Sequence, residues 1–133
     1  MANLLKILLV CLISIPPLFA EEAKKERVKP IYLSMLPHFT VNLSDGGVPR
    51  FMMLKAQTQI KDKETRSELL KHMPAVRHNI LMKLSSLTLA DIQSSAQKQQ
   101  LKTDITKIIK STLTEYAEHD DVKGFFITSL VMQ

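Results

Sequence analysis

Tryptophan is absent from this chain of 133 residues, tyrosine occurs twice and cysteine once. The missing tryptophan and few tyrosines leave little of the aromatic platform on which sugar and base binders stack their ligands. Cys11 lies inside an apolar leader, and neither Leu9 nor Val10 is the small residue that precedes a lipid-modified cysteine. Once the leader is removed no thiol remains, which excludes a disulfide framework, a thiolate metal site and a cysteine nucleophile. A long apolar run is lacking too. Ile7 to Ala20 is fourteen residues containing Pro16-Pro17, against the roughly 20 needed to span a bilayer.

What is present at the start is a secretory layout. Lys6 carries the only charge before an apolar stretch, Pro16-Pro17 break the helix, and Ala20 ends it before a charged run opens at Glu21. The expectation is a signal peptide over residues 1–20, cut between Ala20 and Glu21. Leu18 is its one departure, because a smaller side chain suits the peptidase better. The competing reading is a short retained membrane anchor. Cleavage leaves 113 of the 133 residues, enough for one domain with a packed core. Of the formal +5, only Lys6 leaves with the leader, so the remainder carries about +4. Export excludes nucleic acid as a partner, and an anionic membrane surface or an acidic protein patch suits that charge. Ordinary solubility accounts for it equally simply.

Residues 21–30 mix acids and bases with little to bury and read as an exposed tether, leaving 31–133 as the folded domain. Phe39, Val41 and Leu43 alternate with His38, Thr40 and Asn42, which predicts a strand covered on one side. Ser44 to Pro49 is turn chemistry, with Gly46 and Gly47 free to take positive φ. The next run places Met52, Leu54, Ala56, Thr58 and Ile60 on one face and Lys55, Gln57 and Gln59 on the other, completing an antiparallel hairpin.

The period then becomes helical. Asp62 is set as an N-cap. Leu69, Met73, Val76, Ile80, Leu84 and Leu87 form an apolar stripe that keeps its phase across Pro74, which predicts one kinked helix. Thr88 to Asp91 reads as a cap and turn. Leu101, Ile105, Ile108, Ile109, Leu113 and Tyr116 mark a second helix ending near His119-Asp120-Asp121. Phe125 to Met132 reads as a last strand paired with the hairpin. The fold class is α+β, in the order ββααβ, with two helices covering one face of the sheet.

Candidate sites are sparse. His72 and His78 project about 120° apart on a helix, and His38 and His119 stand in no ligand spacing, so no metal site is expected. Glu115, Glu118, Asp120 and Asp121 sit in a polar turn at a helix C-terminus and read as a solvated loop rather than an acid–base pair. Ser44, Ser85, Ser86 and Ser129 lie in no G-x-S-x-G context, and Gly46-Gly47 is too short to cradle phosphate. Met35, Met52, Met53, Met73, Met82 and Met132 read mainly as core filling. Arg77 falls inside the apolar arc, where it is expected to snorkel or to pair with an acid. No catalytic, cofactor or metal residue is nominated.

Taken in order, several segments resemble the flagellar basal-body-associated FliL family. Pro37-His-Phe-Thr-Val-Asn-Leu43 is similar to the family's first strand, and Arg50-Phe-Met-Met-Leu-Lys55 to its second. Pro74-Ala-Val-Arg-His-Asn-Ile-Leu81, running on to Leu84-Ser-Ser-Leu-Thr88, resembles its proline–x–x–arginine helix and exit. Phe126-Ile-Thr-Ser-Leu-Val-Met-Gln133 resembles its closing strand. The resemblance implies a non-enzymatic periplasmic domain of the stomatin/prohibitin (SPFH) type. Such a domain is expected to associate with the inner membrane and basal body, to form homo-oligomers around the motor's stator units, and to support motility. The family usually adds a cytoplasmic tail and a full transmembrane helix, where this chain has a short proline-ended segment. The glycine that often opens the last long helix is missing near Ala96-Gln97. Two rival readings are a diverged periplasmic envelope module unrelated to the flagellum and a small hydrolase or ligand carrier.

Overall fold

The computed structural model describes residues 29–133. The expected leader, its Ala20–Glu21 junction and most of the tether lie outside the described residues. Strand β1 (Ile31–Ser34) leads through a cis Leu36–Pro37 peptide to β2 (Phe39–Asp45) and β3 (Val48–Ile60). Helices α1 (Lys63–Lys71) and α2 (Met73–Ser85), a 3₁₀ turn (Leu89–Ile92), helix α3 (Ser95–Tyr116) and strand β4 (Val122–Met132) follow.

The thirteen residues of β3 organise the sheet. One edge takes β1 and β2 end to end, with Ile31↔Ile60 to Ser34↔Gln57 and Phe39↔Leu54 to Asp45↔Val48 in antiparallel register. The other edge takes β4, from Ile60↔Val122 to Met52↔Met132, with two register shifts on the way. Gln133 exchanges both backbone hydrogen bonds with Phe51, at 2.8 and 2.9 Å, and extends that pairing. Gly46 (φ 54°) and Gly47 (φ 90°) make the β2–β3 turn. Two successive positive φ angles match the right-handed twist of a hairpin and admit glycine at little cost.

The architecture is therefore α+β, as expected, but with four strands and three helices instead of the ββααβ order. Strand β1 escaped the pattern because it is four residues long, and only Ile31 and Leu33 turn toward the core. The expected kinked helix is two helices that meet at His72, which caps the end of α1 and the start of α2. Proline has no N–H, and its ring collides with the carbonyl four residues back in a continuous helix. Restarting at Met73 puts Pro74 in the first turn, where no donor is needed. The stripe survives the break, since Leu69, Val76, Ile80 and Leu84 are all fully buried.

Helices α2 and α3 cover one face of the sheet. Their stripes meet Phe39, Met52, Leu54 and Ile60 in a single core. Asn79 Nδ2 donates to Thr112 Oγ1 (2.9 Å), and Lys83 Nζ lies 3.2 Å from Asp104 Oδ2, so polar contacts tie α2 to α3 as well. The polar stretch after Thr88 is organised by two capping boxes, Thr88 with Asp91 and Ser94 with Gln97. Each satisfies backbone donors that a helix start leaves orphaned. Helix α3 stops at Tyr116, before the expected His119-Asp120-Asp121, because Ala117 is already extended. No helix among the described residues is long and apolar enough to cross a membrane.

Candidate partner-binding surface

The histidines stay apart, and no group of three His, Cys, Asp or Glu side chains is arranged to hold a metal among the described residues. His72 stacks on Tyr116 with ring centroids 5.7 Å apart. Its Nε2 comes within 3.4 Å of Glu68 Oε2 without a hydrogen bond of good geometry. Ser86 Oγ donates to the carbonyl of Lys83 (2.8 Å) and closes α2. Ser129 sits opposite Lys55 within the β3–β4 pairing.

The acidic group after α3 is structural. Asp121 Oδ2 is 2.8 Å from Lys61 Nζ, its Oδ1 is 3.1 Å from Lys123 Nζ, and its carbonyl accepts from the Lys61 N–H. Asp120 accepts from Thr114 Oγ1 at 2.7 Å. The turn before β4 is thereby fastened to the turn before α1. Hydrogen bonds from Lys61 and then Lys123 hold the Asp121 carboxyl below its usual range, and the same bond raises Lys61. Bonds from Thr65 lower Asp62 and bonds from Thr88 lower Asp91. A carboxylate whose folded pKa is depressed stabilises the fold above its unfolded pKa of about 3.9, and that contribution disappears as pH falls through the folded value. The protein is therefore expected to lose stability from about pH 4 downward. Asp121→Asn is expected to narrow the gap in melting temperature between neutral and acid pH. An unchanged gap in thermal scans would contradict this assignment.

Arg77 is partly buried and pairs with no acid among the described residues. Its guanidinium carbon lies 4.4 Å from the centroid of the Phe39 ring, and Nη1 is buried without a hydrogen-bond partner. The ring's negative face compensates part of the desolvation, which lowers the pKa of the group. Of the methionines, Met35 and Met52 fill the core as expected, while Met53, Met82 and Met132 are exposed.

What the domain does present is the outer face of its sheet. Phe51 (53% exposed) and Met53 (42%) on β3, Val131 and Phe126 on β4, and Tyr32 on β1 all lie on the side away from the helices. Met53 is directly opposite Val131. Tyr32 and Phe126 reach each other edge to face across β3, with ring centroids 5.9 Å apart. Lys55, Gln57 and Gln59 supply polar neighbours on the same face. An apolar cluster rimmed by polar groups is a common form of protein interaction site. The sequence held a signal for it: Phe51 and Met53 occupy off-core positions of an alternating strand, where polar residues are the rule.

Comparison with known proteins supplies the rest. Residues 32–133 match the family model described as "Flagellar basal body-associated protein FliL". The flagellar protein FliL of Escherichia coli (strain K12) is 27% identical over 116 residues, covering 86% of this chain and 73% of the relative. That of Aquifex aeolicus (strain VF5) is 28% identical over 97 residues, covering 73% and 58%. The match takes in every strand and helix described above except the first residue of β1, and the chain belongs to the FliL family of flagellar basal-body-associated proteins, which are not enzymes.

Proposed function

We propose that the protein works in the periplasm, against the inner membrane at the flagellar basal body. There it acts as an oligomeric scaffold that supports the stator units and so flagellum-dependent motility. The observation that carries this reading is the family match from residue 32 to 133, because it takes in all but the first residue of the folded domain. The apolar outer face of the sheet supports it, since a non-enzymatic domain acts through surfaces rather than pockets. The kinship to SPFH-type domains belongs to the same proposal. The leader is proposed to be removed between Ala20 and Glu21. An intact mass beginning at Glu21 is expected, and a full-length membrane product would make the segment an anchor.

Deletion of the gene in a flagellated host tests the role. Swimming under viscous load is expected to fall while filaments are still assembled, and the intact gene is expected to restore it. Unchanged motility under load would overturn the proposal.

A further inference from the structure

Strand β2 leaves its outer edge bare. The turn at Gly46-Gly47 closes the hairpin at Asp45↔Val48, and Phe51, which stands opposite Asn42, spends both its backbone groups on Gln133 beyond the far side of β3. Opposed residues of an antiparallel pair exchange both hydrogen bonds or neither. Asn42 therefore turns its N–H and carbonyl away from β3, and the period of two gives Thr40 the same direction. Strand β2 pairs with β3 alone, and no other hydrogen bond reaches Thr40 or Asn42 among the described residues. Helix α2 and the 3₁₀ turn approach β2 on its core face, where Val76, Ile80 and Ile92 are buried with Phe39 and Leu43.

Exposed edges are normally blunted by brevity, proline, lysine, a bulge or a covering element, because a bare one pairs with strands it meets. Elsewhere the sheet uses these devices. Strand β1 is four residues long and lies between Pro30 and Pro37. The first half of β4 has α3 beside it, with the Phe125 N–H given to Thr106 Oγ1 at 3.0 Å, and it carries Lys123 and a register shift. Strand β2 has none of them: from Phe39 to Ser44 it holds no charge, proline, glycine or bulge.

We propose that β2 is the interface to a second copy of this chain, joined edge to edge by an antiparallel β2–β2′ ladder about a twofold axis at Val41. Self-pairing suits this strand. The axis sets Thr40 of each copy opposite Asn42 of the other, a pair able to hydrogen-bond, and it brings the His38 position beside the Asp45 position at either end. No like charges meet along the ladder. An uncharged edge offers a foreign strand nothing to be selected by, whereas a twofold contact needs only that one patch complement itself. The axis stands normal to the sheet, so the helices of both copies stay on one face and the two apolar outer faces merge on the other. Such a contact is the unit of the oligomer proposed above and rests on that reading, but solution mass and motility are separate readouts, so either can fail alone.

Sedimentation equilibrium over a concentration series, on the chain as it is recovered from cells, tests this. A monomer–dimer equilibrium is expected. Asn42→Pro removes an N–H that no contact within the fold uses, a change an edge strand tolerates. It is expected to weaken the dimer by about tenfold or more, the scale of two lost ladder hydrogen bonds. Asn42→Lys and Asn42→Asp leave the backbone alone. Each is expected to weaken the dimer through like charges diagonal across the axis, and an equimolar mixture of the two is expected to associate again. Thr128→Lys on β4 and Val131→Lys on the apolar outer face add the same charge elsewhere and are expected to change nothing. Circular dichroism shows whether Asn42→Pro keeps the fold, and the charge variants decide the matter if it does not. Monomer at every concentration, association indifferent to position 42 or a mixture that fails to restore it would each overturn the proposal. So would loss of association on Thr128→Lys or Val131→Lys, since that would put the contact on β4 or on the outer face.

Discussion

A chain truncated after Asp121 is expected not to fold. Strand β4 lines one whole edge of β3 from Ile60 to Met52, and its Val122 and Phe125 are almost completely buried. Burial of two such side chains contributes about 1.5–3 kcal/mol each, and each ladder hydrogen bond about 0.5–1.5 kcal/mol net. Helix α3 packs on β4, so losing the strand also exposes Ile105 and Ile109 to water. Freedom regained by the deleted residues offsets only part of this, because those two isoleucines stay in the chain. The total loss reaches the whole stability of a small domain, about 5–15 kcal/mol. Far-UV circular dichroism of the truncated chain should show no cooperative unfolding transition. A sigmoidal transition with native-like helix content would contradict the placement of β4.

Phe39→Ala is expected to destabilise the domain by about 3–5 kcal/mol, the usual cost of removing a buried aromatic ring. Phe39 sits on the core face of β2, opposite Leu54, and its other side carries the Arg77 guanidinium. Alanine leaves a cavity and strips Arg77 of the group that compensates its burial. Two further substitutions separate these effects. Phe39→Leu keeps most of the volume and gives up the cation–π contact, for about 1–2 kcal/mol. Arg77→Met removes a buried donor that has no hydrogen-bond partner, so it is expected to be neutral or stabilising, as when other poorly compensated buried charges are replaced. Urea denaturation of the three variants measures the series. A loss below about 1 kcal/mol for Phe39→Ala, or a large loss for Arg77→Met, would show that the contact is misassigned.

Local rules carried much of this fold. Alternation in β3 named its core face, Gly46 and Gly47 named the hairpin turn, and Asp62 caps α1 by accepting from the Thr65 N–H at 2.8 Å. The stripes of α2 and α3 are buried where their spacing placed them. Rules of that kind failed wherever a distant neighbour decided the outcome. Strand β1 exists because Gln57 to Ile60 offers it an edge, which four residues cannot announce. Arg77 falls inside the apolar arc, but no local rule points it to a ring thirty-eight positions earlier. Tyr116 falls on the apolar stripe of α3 yet is 51% exposed, since the helix ends there and the core does not extend beneath it. The surfaces were least legible of all. Phe51 and Met53 stand at off-core positions of the alternating run, but only the sheet shows that Val131, Phe126 and Tyr32 join them on one outer face.

The measurement that bears most directly on the account is the position of the protein in living cells. A fluorescent fusion of the full chain, expressed at native level in a flagellated host, is expected to form foci that coincide with labelled hook bases. Those foci should disappear in a strain that builds no basal bodies. A uniform envelope signal in both strains would contradict a role at the flagellar basal body.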